Sequence, residues 1–152
     1  MEPLIHLSYL YDKIKLLAIA DEAKASASPY SDPRYPNYSF QSWLMGHYTN
    51  DYIEDIMKEL EVNGKPRFYY LEPNTQIPTH VDRNTTCSIN FILTDEPAPI
   101  TILGRDYYYD CALLNTTVPH SVQNKDKQRI LFKISIFEES FESLANRIKF
   151  KK

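Results

Sequence analysis

The most constraining feature of this sequence is a series of short, mainly apolar segments between Pro66 and Phe137, separated by clusters of Pro, Asn, Asp and Gly. Segments rich in β-branched and aromatic residues and bounded in this way are typical of strands. Six are recognisable: RFYYLEP, THVD, CSINFILT, ITILG, DYYYDCALLN and RILFKISIF. Because no helical periodicity lies between them, the pattern predicts an antiparallel sandwich or jelly roll.

The segment RILFKISIF shows how such a strand divides its residues between two faces, since alternate side chains point in opposite directions. One face is fully apolar and consists of Ile130, Phe132, Ile134 and Ile136. The other carries Arg129, Leu131, Lys133 and Ser135. The apolar face needs a cover, which flanking helices would supply. The second face either meets solvent or lines a barrel interior, where two cations require an anion.

Three helices are predicted around the strands. The first covers residues 4–25, with an apolar stripe of Leu7, Leu10, Tyr11, Ile14, Leu17 and Ala18. The second covers about 50–61, capped by Thr49 or Asn50 and stopped at Asn63-Gly64, with the stripe Tyr52, Ile53, Ile56, Met57 and Leu60. The third lies within 138–152 and buries Phe141, Leu144, Ala145 and Ile148.

The stretch from Ser26 to Tyr48 is rich in Pro, Ser and Tyr and is predicted to be irregular. It is either a packed surface connection or a lid that contacts substrate through Tyr30, Tyr35, Tyr38 and Trp43. We therefore predict one domain over residues 1–152, with a helical and irregular part at 1–62, a strand core at 66–137 and a C-terminal helix at 138–152.

Composition excludes several classes of function. The chain has 152 residues, 43% of them hydrophobic and 24% charged, which is typical of a globular domain. Its net charge of -3 argues against a nucleic-acid polymer as partner, although nucleotides stay possible. No apolar run is long enough to span a membrane, and the first residues do not resemble a signal peptide. Since Cys87 and Cys111 form no disulfide-type pattern, we expect a cytoplasmic protein.

A candidate metal site lies in the stretch THVD. If His80 and Asp82 occupy one strand, they project to the same face and supply two of the three ligands of a facial triad. His120 follows a strand-like run and a proline, so it is the candidate third ligand. The pair alone is a weak signal, and its combination with His120 and Arg129 carries the hypothesis.

Arg129 follows His120 by nine residues, and Tyr70 precedes His80 by ten. With these residues the segment from Tyr69 to Phe137 resembles the iron(II)- and 2-oxoglutarate-dependent oxygenases, particularly their prolyl-hydroxylase-like branch. The resemblance implies a mainly β fold with flanking helices around a double-stranded β-helix, the jelly roll of cupin type. It also implies Fe(II) on the three candidate ligands and 2-oxoglutarate on Arg129.

The same resemblance implies that Tyr70 faces the co-substrate. Asn90, on the Ser88/Asn90/Ile92 face of its strand, either donates a hydrogen bond to the co-substrate or is an ordinary polar strand residue. Arg129 and Lys133 share a strand face, about 13 Å apart along the strand. We expect the planar guanidinium of Arg129 to hold the carboxylate, and Lys133 to lie deeper or at the far rim. The reaction implied is hydroxylation of a C–H bond in a small molecule or a peptidyl residue such as proline. It releases succinate and CO2, with ascorbate as a possible reductant.

Two other interpretations stay open. A cupin-like metal enzyme of another class, catalysing an isomerisation or hydrolysis, would use the same three ligands but would not need Arg129. A non-catalytic jelly roll with an idle site would have no physical reason to keep all three ligands. The sequence carries no signal for the oligomeric state or for the identity of the substrate.

Overall fold

The computed structural model describes residues 1–30 and 43–152, and in these ranges the chain forms three helices and eleven strands. The helices are α1 (Lys13–Lys24), α2 (Asp51–Leu60) and α3 (Phe141–Arg147). The first four strands are β1 (Leu4–His6), β2 (Ser28–Pro29), β3 (Trp43–His47) and β4 (Lys65–Leu71). The others are β5 (Gln76–His80), β6 (Cys87–Ile92), β7 (Ile100–Ile102), β8 (Arg105–Tyr107), β9 (Cys111–Leu114), β10 (His120–Gln123) and β11 (Arg129–Ile136). Within the described ranges, no helix has the length and apolar character needed to cross a membrane.

The strands form two antiparallel sheets, and the predicted jelly roll is confirmed. The larger sheet has the order β1-β9-β6-β11-β4-β3-β2, and the smaller has the order β5-β10-β7-β8. One apolar cluster lies between the sheets, with Tyr69 and Leu114 from the larger and Ile102 and Val122 from the smaller. A second cluster packs the other face of the larger sheet against the helices.

Strand β11 lies in the middle of the larger sheet, paired with β4 and β6. Its two faces are divided as the alternation predicts. Residues Ile130, Phe132, Ile134 and Ile136 are all in the helix-side cluster. Arg129, Leu131 and Lys133 line the space between the sheets. The central position of β11 therefore places two cationic side chains in the interior of the jelly roll.

The prediction of a helix over residues 4–25 is wrong in its start and in its buried face. Residues 4–6 instead form the edge strand β1, paired with β9. Helix α1 begins only after Asp12, whose side chain accepts a hydrogen bond from the Lys15 backbone N–H. Leu10 and Ile14 are 91% and 83% exposed. The buried face of α1 consists of Leu16, Ile19, Ala20 and Ala23.

Helix α2 is observed where it was predicted, but the residue that ends it is not the predicted glycine. Asn50 caps it by accepting from the Ile53 N–H, and the buried face is the predicted stripe except for the half-buried Tyr52. The left-handed C-terminal residue is Glu61, with φ 57°, rather than Gly64. Gly64 serves a close approach: a Cβ placed there would lie 2.7 Å from the Ser135 carbonyl oxygen.

The third helix is shorter than predicted. It buries the predicted Phe141, Leu144 and Ala145, and the predicted Ile148 is buried just after the helix, as its C-cap. The stretch Ser26–Tyr48 is not wholly irregular, because β2 and β3 lie within it. Tyr35 and Tyr38 lie outside the described residues. The segment DYYYDCALLN also divides: β8 belongs to the smaller sheet and β9 to the larger.

Candidate metal centre

The two sheets enclose a cavity of about 60 Å³, lined by apolar and aromatic side chains with a few polar groups. The polar side chains that matter for the site are His80, Asp82, Asn90, His120, Arg129 and Lys133. A small cavity with convergent polar groups is the usual form of a site for a small ligand.

Strand pairing brings the two histidines together. His80 is the last residue of β5 and His120 the first of β10, and they are direct partners in the antiparallel pairing. Asp82 lies beyond the end of β5, so the predicted strand over THVD is too long at its end. The Asp82 backbone N–H donates to the Thr116 carbonyl oxygen at 3.1 Å, which holds the loop beside the strand ends.

The three predicted ligands converge on one point. Asp82 Oδ1 lies 3.3 Å from His80 Nε2 and 3.0 Å from His120 Nε2. All three candidate ligand atoms lie within 4.8 Å of one another. Two ligands at right angles, each about 2.1 Å from an ion, lie about 3 Å apart. The spacing therefore fits one bound metal ion.

Both imidazoles are oriented by the backbone two residues earlier. His80 Nδ1 lies 2.7 Å from the Pro78 carbonyl oxygen, and His120 Nδ1 lies 2.8 Å from the Val118 carbonyl oxygen. A carbonyl only accepts, so each Nδ1 carries a proton and donates it. In the neutral imidazoles Nε2 then presents a lone pair toward the Asp82 carboxylate, and a cation or a proton must lie between them. This donor set fits a divalent metal.

Lys133 lies beside the three ligands, not deeper or at the far rim as predicted. Its ammonium Nζ donates to Asp82 Oδ2 at 2.6 Å, and both side chains are 12% exposed. Burial alone would raise the pKa of the Asp82 carboxyl, but Lys133 and the two histidines outweigh burial and hold that pKa well below its usual range. Burial likewise opposes the Lys133 charge, but Asp82 raises the pKa of the ammonium above its ordinary value.

Arg129 lies at the start of β11 and is 5% exposed. Its guanidinium donates to the Ala98 carbonyl oxygen at 2.7 Å and contacts the Tyr109 hydroxyl at 3.5 Å. Asn90 donates to the same hydroxyl at 3.2 Å. Across residues 1–30 and 43–152 no carboxylate pairs with Arg129. A buried cation with neutral partners alone is costly, so this end of the cavity favours an anionic ligand.

No protein-family model and no curated protein matches the sequence. Solved structures do match the fold. A prolyl-4-hydroxylase from Pseudomonas putida is 12% identical with a TM-score of 0.69, over 91% of this chain and 94% of that one. The chain has the fold of the prolyl-hydroxylase-like 2-oxoglutarate oxygenases.

Two further structures agree with this fold. The viral collagen prolyl hydroxylase of Paramecium bursaria Chlorella virus-1 is 9% identical with a TM-score of 0.60, over 88% of this chain and 95% of that one. A 2OG-Fe(II) oxygenase family oxidoreductase from Burkholderia pseudomallei is 11% identical with a TM-score of 0.55, over 82% and 79% of the two chains. At these identities the likeness establishes the fold and leaves the reaction to the residues of the cavity.

Within this prolyl-hydroxylase-like fold the assignment of Tyr70 to the cavity is wrong. The Tyr70 side chain belongs to the helix-side cluster, where its hydroxyl donates to the Ala20 carbonyl oxygen. Its neighbour Tyr69 lines the cavity instead. A spacing of ten residues before His80 does not specify a strand face, and β4 places odd-numbered residues toward the cavity at this point.

Two cavity residues could not be assigned from the sequence. Tyr109 lies between β8 and β9, in the tyrosine-rich stretch DYYYD, and nothing in that stretch distinguishes it from its neighbours. Trp43 is one of several aromatic candidates in its segment. It begins β3, and its ring lies 5.6 Å from Tyr69 and 5.9 Å from His80. These rings form an aromatic wall beside the candidate metal centre.

Proposed function

We propose that this chain is an Fe(II)- and 2-oxoglutarate-dependent oxygenase that hydroxylates a C–H bond and releases succinate and CO2. The observation that carries the proposal is one cavity that contains both the His80-Asp82-His120 group and the buried Arg129, which has no carboxylate partner in the described ranges. The first fits a divalent metal, and the second fits the far carboxylate of a small dianion.

The cavity residues would have distinct chemical roles. His80, Asp82 and His120 would hold Fe(II), which when bound supplies the activation of oxygen and the oxidation of substrate. Arg129 would bind a carboxylate with two parallel hydrogen bonds, with Tyr109 and Asn90 supporting it. The aromatic wall would keep water from the reacting groups. A reductant such as ascorbate would maintain the ferrous state.

The substrate is proposed from the neighbours' chemistry. Two of the similar structures are prolyl hydroxylases. A peptidyl residue, proline first, is therefore the primary candidate, and a small molecule is the second. The net charge of -3 argues against a nucleic-acid polymer.

The proposal is tested by anaerobic titration with Fe(II) and then 2-oxoglutarate. We expect one Fe(II) per chain, a visible charge-transfer band on adding 2-oxoglutarate, and oxygen-dependent release of succinate. His80→Ala and His120→Ala should abolish metal binding, whereas His6→Ala, at an exposed position in β1, should not. Full metal occupancy in both cavity variants would refute the assignment of the metal ligands.

The Arg129→Ala variant tests the anion site independently of the metal site. Removal of one partner of a buried charge pair typically costs about 3–5 kcal/mol. The variant should bind 2-oxoglutarate about a hundredfold to several thousandfold more weakly and still bind Fe(II). Arg105→Ala, at an exposed arginine, is the control. Metal binding without any turnover of 2-oxoglutarate would favour a non-catalytic jelly roll with an idle site.

A further inference from the structure

The two oxygens of Asp82 have different partners. Oδ1 faces Nε2 of His80 and His120 at 3.3 and 3.0 Å, whereas Oδ2 accepts from Lys133 Nζ at 2.6 Å. Lys133 is on the cavity face of β11, in register with Asn90 of β6. Its ammonium lies over the Tyr69 ring, 5.3 Å from the centroid. A central strand and a buried ring therefore keep the ammonium at the carboxylate and away from solvent.

We infer that Lys133 is a positioning residue that restricts Asp82 to one metal-facing oxygen. The inference rests on the metal centre of the proposed function. A carboxylate can bind a metal ion through one oxygen or through both. When Lys133 occupies Oδ2, Asp82 supplies one ligand, and three of six octahedral positions stay open. Those are the positions that a chelating co-substrate and oxygen need.

Lys133 and Arg129 therefore have different tasks although they share a strand face. The charge of Lys133 is matched by Asp82, and that of Arg129 has no carboxylate partner in the described parts of the chain. Four residues of strand separate them, about 13 Å. Lys133 sets the coordination of the metal, and Arg129 is left for the incoming anion.

Loss of the Lys133 charge should strengthen binding of the metal alone, for three reasons that act in the same direction. The ammonium no longer repels a divalent ion. The second oxygen of Asp82 becomes available as a ligand. In the metal-free chain, the buried carboxylate loses its counter-ion, and metal binding relieves that cost.

The test is Lys133→Met, which keeps most of the length of the side chain and removes its charge and its donors. Titrated with Mn(II) alone, this variant should bind about tenfold more tightly than the wild type, the lower end of the size of change that outer-shell partners cause. The visible spectrum of bound Co(II) should differ from that of the wild type because the number of bound oxygens changes. Lys127→Met, which removes an exposed ion pair with Glu96, should change neither measurement.

Lys133→Gln protects the test against misfolding of the methionine variant, because it keeps a neutral donor near Oδ2. It should bind Mn(II) more tightly than the wild type and less tightly than Lys133→Met. Wild-type affinity and an unchanged Co(II) spectrum in either folded variant would overturn the inference, while the metal centre itself would stand. A wild-type chain that binds neither Mn(II) nor Co(II) would instead overturn the metal centre and the inference together.

Discussion

At the scale of single residues, local backbone geometry orients both imidazoles of the candidate metal centre. Each histidine donates from Nδ1 to the carbonyl two residues before it, so the tautomer and the direction of Nε2 are set within three residues. The ammonium that pairs with Asp82 comes from a distant strand, because Lys133 is 51 residues away in the chain. The alternation of side chains along β4 decides which tyrosine can contact the co-substrate, since Tyr69 and Tyr70 point to opposite faces of the sheet.

Tyr70→Phe tests that face assignment. The variant loses the hydrogen bond to Ala20, so unfolding should become about 1 kcal/mol easier, and 2-oxoglutarate affinity should not change. The matched variant Tyr109→Phe removes a hydroxyl that Arg129 and Asn90 both contact, and it should weaken 2-oxoglutarate binding about tenfold. Chemical denaturation and titration of both variants measure the two effects. If Tyr70→Phe lowered the affinity and Tyr109→Phe did not, the placement of these rings would be wrong.

At the scale of elements, pairing with neighbouring strands decides the secondary structure of segments whose own sequence does not. Strand β10 has the sequence HSVQ, with one apolar residue, and carries no strand signal of its own. It is a strand because β5 and β7 pair with it on either side. Helix α1 shows the converse. Its stripe, extended to Leu10 and Ile14, indicates the wrong face, because the chain before Asp12 is not helical and β1 occupies the start of the predicted helix.

The connection between α2 and β4 passes very close to β11 at Gly64, and this close approach can be tested by substitution. A Cβ at Gly64 would lie 2.7 Å from the Ser135 carbonyl oxygen and 2.8 Å from Ile134 Cγ2, and β11 cannot shift because it is paired on both sides. Gly64→Ala should therefore cost about 2–3 kcal/mol of unfolding free energy.

Gly104→Ala is the matched control. Gly104 has φ +81°, and a Cβ added there would meet no atom within 4 Å, so only backbone strain of about 1–2 kcal/mol is expected. The denaturation midpoints of the two variants, at equal slopes, compare the costs. A larger loss at Gly104 than at Gly64 would contradict the close approach.

At the scale of the whole molecule, the jelly roll brings the three candidate ligands and Lys133 together from both sheets. The ligands come from β5, its following loop and β10, while the counter-ion Lys133 comes from β11 of the other sheet. The site is thus held by the packing of the two sheets. Metal binding should add to the stability of a chain that is already folded, unlike domains whose folding depends on the metal.

The expected result is that chelator-treated protein keeps its circular dichroism and a cooperative thermal transition. Mn(II) at about a hundred times its Kd should add about 2.7 kcal/mol to the free energy of unfolding. His120→Ala should fold but gain nothing from Mn(II), and His6→Ala should gain as much as the wild type. Loss of the cooperative transition on chelation would show that the two sheets alone do not hold the site.

The sequence by itself determined the strand-rich core, the face alternation of β11 and the identity of the three candidate ligands, because alternation, capping and residue spacing are local patterns. Only the tertiary structure decided which charges match. Whether Lys133 meets Asp82, and whether Arg129 is left for an anion, depends on how two sheets pack across a cavity. No local pattern in the sequence specifies that distance. A shift of one residue in the pairing register of β4 or β11 would turn these side chains to the opposite face of the sheet.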